Sequence, residues 1–215
     1  MIVFKSLDSI LDEKGTCHES DLALISEDDI LQILKMSLLN RVFEERMMLL
    51  HRQGRLGFSL SSRGEEIAII GASYCLNQTD PIFLQYRELG ALFCRGIPTE
   101  DILNQFFGNN QDYCKGRQMP VHYCFKEYHI PSVSSPVGTQ LPHAAGRAYA
   151  SKLLNDGAVS LAFFGEGTAS SNDFHAALNY SGVFQLPVIF FLRNNGYAIS
   201  TSAKVQTAAK SLAVR

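Results

Sequence analysis

Two residues that follow two apolar runs carry the most informative chemistry in this chain. Glu166 stands in Gly165-Glu166-Gly167 directly after residues 159–164, and Asn195 follows residues 188–192 within Arg193-Asn194-Asn195-Gly196-Tyr197. A carboxylate and a side-chain amide are hard oxygen donors, suited to magnesium or calcium and ill suited to zinc. Magnesium keeps few protein ligands and commonly shares its shell with phosphate oxygens. Such a pair beside glycine turns and a helix N-terminus therefore points to the diphosphate of a phosphorylated cofactor. Arg87 offers the planar guanidinium fork that matches phosphate oxygens. A dinucleotide fingerprint is the nearest alternative, but Ser170 stands where G-x-G-x-x-G needs its third glycine, and no G-x-x-x-x-G-K-[ST] run occurs.

The elements that must position these residues are legible on either side. Residues 159–164 predict a buried parallel strand, and Ser170, Ser171, Asn172 and Asp173 supply cap-type residues for a helix ending near Gly182. A second strand spans 188–192. With a right-handed crossover, both strands end on one rim of the sheet, so Glu166 and Asn195 face one crevice. Upstream, Ser26 with Asp28 and Asp29 caps a long helix running to about His51 and stopped by Gly54 and Gly57. Its apolar positions Ile30, Ile33, Leu34, Leu38, Val42, Met47 and Leu50 are expected to pack inward, an assembly surface being the less favoured reading. Further helices are expected at 65–74, 99–107 and 142–154, with another beginning over 206–214. A short strand is expected at 82–84, a turn cluster at 77–81 and a glycine-punctuated functional loop at 108–123. The fold class is α/β: a parallel sheet flanked by helices.

With 215 residues, 46% of them apolar, and a formal net charge of −2, the chain has the composition of an ordinary soluble globular domain. Nothing in its charge suggests nucleic acid, and no apolar run approaches the length of a membrane span. Asp8, Asp12, Glu13 and Glu19 make the N-terminus unlike an acid-poor transit peptide. Cys17, Cys75, Cys94, Cys114 and Cys124 form no C-x-x-C pair and read as reduced, mostly buried thiols. A zinc site at Cys114, Cys124 and His122 lacks the ligand spacing of its class. His18, His51, His129, His143 and His175 take no role from spacing alone.

The unit from Gly165 to Thr201 resembles the thiamine diphosphate motif, which opens with G-D-G and closes with Asn-Asn. Three further stretches extend the likeness: Gln85-Tyr86-Arg87-Glu88, Gly116-Arg117-Gln118-Met119-Pro120-Val121-His122-Tyr123 and Ser134-Ser135-Pro136-Val137-Gly138-Thr139-Gln140. Together they resemble the alpha subunits of branched-chain 2-oxo acid dehydrogenases from about Glu65 onward. Related pyruvate subunits usually carry Asp in the first motif and a glycine-serine-methionine run where Arg117 to Pro120 stand here, so Glu166 favours the branched-chain branch.

The resemblance implies a thiamine diphosphate-binding fold over 61–215, incomplete at its C-terminal side, behind an N-terminal extension and long helix over 1–60. It assigns magnesium to Glu166, Asn195 and the Tyr197 carbonyl. Cofactor contacts fall on Tyr86, Arg87, Ser135, Val137, Gly167, Thr168 and Arg193, and potassium on Ser134, Pro136, Thr139 and Gln140. Val137 takes the place of a residue, usually leucine, that presses between the two cofactor rings. His122 is the one catalytic candidate in this chain, orienting either the substrate or its own loop, and the ring-activating glutamate comes from the beta subunit.

The implied activity is oxidative decarboxylation of a small branched-chain 2-oxo acid, in branched-chain amino acid catabolism. The acyl group passes to the lipoylated dihydrolipoyl acyltransferase component. A beta subunit in an α2β2 heterotetramer is the implied partner, in the mitochondrial matrix of a eukaryote or the cytoplasm of a bacterium. Family members continue well beyond position 215, so the chain is expected to be truncated, and the isolated 215 residues to be poorly soluble and to bind the cofactor weakly. A pyruvate or acetoin dehydrogenase alpha subunit is an alternative, as is a non-catalytic homologue that binds a beta subunit. A nicotinamide-binding domain comes last.

Overall fold

A computed structural model describes residues 25–214 of the chain. The readings made of Asp8, Asp12, Glu13, Cys17, His18 and Glu19 lie outside them. Three short apolar runs pair as one parallel sheet: β1 (Ile82–Phe83), β2 (Ser160–Gly165) and β3 (Val188–Arg193), in the order β1-β2-β3. Ile82 lies opposite Leu161, and β2 and β3 stay in register from Ser160 opposite Val188 to Gly165 opposite Arg193.

Alternation along the strands divides the interior into two cores. Leu161 and Phe163 join Ile82, Leu84 and Phe191 on one face, while Ala162 and Phe164 join Phe83, Phe190 and Leu192 on the other. The helices are α1 (Glu27–Arg52), α2 (Glu66–Tyr74), α3 (Leu89–Cys94), α4 (Thr99–Phe107), α5 (Gln140–Leu154) and α6 (Asn172–Phe184). The first four contribute Phe43, Met47, Ile69, Leu92 and Ile102 to the first core, and α5 and α6 contribute Leu141, Ala144, Phe174 and Ala177 to the second. Both faces of β2 are thus covered, as a run with no polar alternation requires.

Element boundaries fall within about two residues of those expected from the sequence. Both expected caps form: Ser26 Oγ accepts the Asp29 N–H at 3.1 Å, and Ser171 Oγ accepts the Phe174 N–H at 3.3 Å. Helix α3 and the antiparallel pair β4 (Tyr197–Ala198) and β5 (Thr201–Ser202) were not anticipated.

Two expectations are corrected. On α1, Met47 and Leu50 are buried as expected, but Ile30, Leu34, Leu38 and Val42 are exposed, Val42 by 65%. Leucines surround the N-terminal half of this helix, so apolar spacing alone fits more than one face. The face that turns inward carries Ser37, Asn40, Phe43 and Glu44. It is selected by polar pairing: Glu44 accepts the Ser62 N–H at 2.9 Å and the Ser61 hydroxyl at 2.7 Å, while Asn40 Nδ2 donates to Ser62 Oγ at 3.0 Å. Over 206–214 no α-helix forms; only the 3-10 turn Leu212–Val214 appears there, after an earlier one at Ala203–Val205. The Thr207 hydroxyl accepts the Ala209 N–H at 3.1 Å, a local turn that competes with helix nucleation. Among the described residues, no helix is long and apolar enough to cross a membrane.

Candidate functional site

Level pairing of β2 with β3 brings both strands to an end at the same height, Gly165 beside Arg193. Glu166 begins a 3-10 turn (Glu166–Ser170) and is 3% exposed, and the Asn195 N–H approaches its Oε2 at 3.4 Å. Both residues line one cleft of about 470 Å³, together with Tyr86, Arg87, Val137, Gly167, Thr168, Arg193 and Tyr197. That volume is within the range of small-molecule and cofactor sites. Of the residues expected to touch the cofactor, only Ser135 lies outside this lining.

The walls are fixed by contacts far apart in sequence. Ala198 packs so closely on Gly167 that a Cβ there would sit 2.8 Å from the Ala198 methyl, which explains the glycine. The Tyr197 N–H donates to Asn195 Oδ1 at 3.1 Å. Arg87 is steadied by the Ser61 carbonyl at 2.7 Å and lies 5.7 Å from the centre of the Tyr86 ring, a cation–π geometry.

Arg193 is 6% exposed and forms ion pairs with Glu65 and Glu88. Burial alone would depress its guanidinium, yet Glu88 and Glu65 outweigh this and hold it charged. Burial likewise pushes the Glu65 carboxyl up, but hydrogen bonds from Arg193 and Asn195 outweigh that and hold it below the usual glutamate range. The two terminal nitrogens of Arg193 therefore serve carboxylates, and only its Nε has no partner among the described residues.

Glu166 and Asn195 bring one carboxylate and one side-chain amide oxygen to this rim. Among the described residues no three His, Cys, Asp or Glu side chains gather into a metal cluster. A hard cation would complete such a sparse set with ligand oxygens and water. Thr168 supplies an independent sign of fit. It lines the cleft at 1% exposure, and its Oγ1 has no hydrogen-bond partner among the described residues, which a buried hydroxyl rarely tolerates.

His122 is not among the residues lining the cleft; its Nδ1 lies 3.1 Å from the Pro120 carbonyl and its Nε2 lies 2.7 Å from Ser135 Oγ. A carbonyl only accepts, so Nδ1 carries a proton, and in the neutral ring Nε2 then accepts the Ser135 hydroxyl. Val121 next to it adopts a positive φ of 63°, unfavourable for a β-branched residue. Gln105 holds it there, accepting the Val121 N–H at 3.0 Å and donating to the Met119 carbonyl at 2.7 Å. In the turn before α5, the Thr139 hydroxyl donates to the Pro136 carbonyl at 3.0 Å, bringing two of the expected potassium ligands together. Gln140 instead turns its Nε2 to the Phe163 carbonyl at 2.9 Å.

The cysteine expectation is corrected in part. Cys75 is exposed, and Cys94, Cys114 and Cys124 are half-buried. Burial pushes the Cys94 thiol up to about 12. His122 turns its Nε2 to Ser135, and among the described residues Cys114, Cys124 and His122 do not gather into a metal-holding group. Sequence reasoning missed Glu65 and Glu88. A basic residue ending a buried strand demands a counter-charge, and that was the available signal; it does not say which acid supplies it.

Comparison with known proteins follows the same lines. Residues 34–215 match the family model described as "Dehydrogenase E1 component". The chain is 41% identical over 207 residues to "2-oxoisovalerate dehydrogenase subunit alpha, mitochondrial" of Homo sapiens, covering 96% of this chain and 46% of that protein. It is 39% identical over 208 residues to the Dictyostelium discoideum protein of the same description, covering 96% and 47%. It is 40% identical over 207 residues to "2-oxoisovalerate dehydrogenase subunit alpha 1, mitochondrial" of Arabidopsis thaliana, covering 96% and 44%. The chain spans about half the length of these curated relatives.

Proposed function

The chain belongs to the dehydrogenase E1 component family, and from that premise we propose that it serves as the alpha subunit of a branched-chain 2-oxo acid dehydrogenase that holds thiamine diphosphate through magnesium. The observation that carries this reading is the meeting of Glu166, Asn195, Tyr197 and the unpartnered Thr168 hydroxyl at one cleft. The relatives' names supply the substrate class, since 2-oxoisovalerate is a branched-chain 2-oxo acid.

When bound, thiamine diphosphate supplies a carbon nucleophile and an electron sink for decarboxylation of a 2-oxo acid. The residues of this chain do the holding. The Glu166 carboxylate, the Asn195 amide oxygen and the Tyr197 carbonyl would ligate magnesium, leaving the rest of its octahedron to diphosphate oxygens and water. Thr168 would donate its free hydroxyl to a diphosphate oxygen, and Arg87, oriented by Ser61 and Tyr86, would neutralise its charge. Arg193 would contribute its Nε while its remaining nitrogens stay with Glu65 and Glu88. Val137, 49% exposed at the mouth of the cleft, would offer an apolar contact to the ring system. Ser135, through its bond to His122, would set the position of the loop bearing that histidine.

Potassium would be held by the turn carrying Ser134, Pro136, Thr139 and Gln140, whose carbonyl and hydroxyl oxygens suit a hard monovalent cation. A beta subunit would complete the catalytic centre in an α2β2 assembly, and a lipoylated acyltransferase would take up the acyl group. The names of the relatives favour the mitochondrial matrix for a eukaryotic source.

The test is to assemble the chain with a beta subunit and titrate thiamine diphosphate at fixed magnesium. Glu166→Gln, which removes a charged ligand while keeping shape, is expected to weaken magnesium-dependent cofactor binding at least tenfold. Unchanged affinity would count against the assignment. In the wild-type assembly 3-methyl-2-oxobutanoate should turn over faster than pyruvate, and the reverse order would move the chain to another branch of the family.

A further inference from the structure

We propose that Glu65 is a positioning residue that decides which end of the Asn195 amide faces the cation, an inference that rests on the magnesium reading above. The Asn195 side chain presents an oxygen and an amino group that are nearly alike in shape and opposite in chemistry. Only the oxygen ligates a cation, so a rotated amide would turn a donor toward magnesium. Something has to choose. Glu65 does not line the cleft, but its Oε1 receives the Asn195 Nδ2 at 3.1 Å. An ionised carboxylate only accepts, so it selects the amino group and turns Oδ1 away from itself, where the Tyr197 N–H meets it at 3.1 Å. In the rotated amide, oxygen would face carboxylate and amino group would face N–H, two mismatches at once. One lone pair of Oδ1 serves Tyr197 and the second is left for a cation. The Asn195 N–H, at 3.4 Å from Glu166 Oε2, keeps the loop against the other expected ligand.

Glu65 is itself fixed. Its second oxygen is paired with Arg193, which is paired in turn with Glu88, and Glu88 Oε2 accepts the Gln85 N–H at 2.8 Å. Glu88 is fully buried and Arg193 nearly so, which leaves this relay little freedom to rearrange. The relay joins the start of α2, the end of β3 and the turn after β1, so three separate segments hold one amide in one orientation. Outer partners of this kind orient metal ligands generally, and their loss costs about ten- to a hundredfold in metal affinity.

The test uses the chain assembled with its beta subunit and thiamine diphosphate, with Mn2+ as the probe and its free concentration read by electron paramagnetic resonance. Glu65→Gln is expected to weaken Mn2+ binding about ten- to a hundredfold. Arg193 keeps Glu88 in this variant, so the buried guanidinium is not stranded. The decisive arm repeats the substitution in an Asn195→Asp background. Aspartate has two equivalent oxygens and needs no orienting, and Glu65 beside it is a like charge. Glu65→Gln should there cause no loss, or tighten Mn2+ binding. An equal loss in both backgrounds would reduce Glu65 to general scaffolding, and no loss with Asn195 present would also overturn the proposal. Glu166→Ala separates the two levels of the argument. If it leaves Mn2+ affinity unchanged, the cation site itself is wrong and the positioning role falls with it. If it abolishes binding while Glu65→Gln has no effect, only the positioning role is lost.

Discussion

Thr168 stands 1% exposed with a hydroxyl that finds no partner among the described residues, a condition that costs about 1–3 kcal/mol in a folded protein. A residue kept at such a cost beside a cleft is explained if a ligand completes it. Thr168→Val, which preserves shape and removes the hydroxyl, should therefore stabilise the cofactor-free protein by about 1 kcal/mol and weaken thiamine diphosphate binding about tenfold. Melting curves with and without the cofactor check both signs, and loss of stability in the free protein would contradict the reading. Legibility differed residue by residue. Glu166 and Asn195 were readable because each follows an apolar run, and parallel pairing of the two runs brings them together. Glu65 was not, since its contacts with Arg193 and Asn195 cross 128 and 130 positions of sequence and no local spacing encodes them. The unpartnered state of Thr168 was equally hidden, being a property of everything packed around it.

At the scale of elements, α1 is where pattern and structure part. Its existence and caps were legible from Ser26 and the glycines, but its inward face was not. Four leucines in its N-terminal half, Leu31, Leu34, Leu38 and Leu39, leave apolar spacing ambiguous, and Glu44 and Asn40 decide the rotation by reaching Ser61 and Ser62. Leu38→Gln should accordingly change the stability of the isolated chain by no more than about 0.5 kcal/mol in chemical denaturation, as for an exposed site. A loss of about 2–5 kcal/mol, the cost of emptying a core position, would restore the inward stripe.

The pairing of α1 with α2 also carries a pH signature. Burial pushes the Glu66 carboxyl up, but hydrogen bonds from its own backbone N–H, Arg41 and the Gly64 N–H outweigh it and hold it below the ordinary value of about 4.3. A carboxyl depressed by folding adds stability above its unfolded value and loses it as pH falls through the lower folded one. The contribution should thus be intact at neutral pH and fade below about pH 4. Glu66→Gln should flatten that acid limb, and an acid limb identical to wild type would remove Glu66 from the account.

For the whole molecule, the α/β class and the shared rim of β2 and β3 follow from alternating apolar runs and helices, and both are present. Less legible was how the covering is shared out. Helix α3 lies directly after Gln85-Tyr86-Arg87-Glu88 and contributes Leu89, Ala91, Leu92 and Phe93 to the first core, yet it is too short for periodicity to announce it. The β4–β5 pair, two residues to a strand, is likewise below the length at which alternation can be read, although its Ala198 closes on Gly167 and shapes the cleft. Local pattern found the scaffold, and long-range charge pairing finished the site.

The central claim is that two adjacent strand ends hold one divalent cation, and that this cation clamps a diphosphate. Crystals of the chain assembled with a beta subunit, grown with thiamine diphosphate and Mn2+, test it most directly through anomalous scattering from manganese. The account predicts one strong anomalous peak at about 2.1 Å from Glu166 and Asn195 oxygens, with diphosphate oxygens completing the shell. A diphosphate bound in the cleft with the peak elsewhere, or with no peak between it and these two residues, would contradict it.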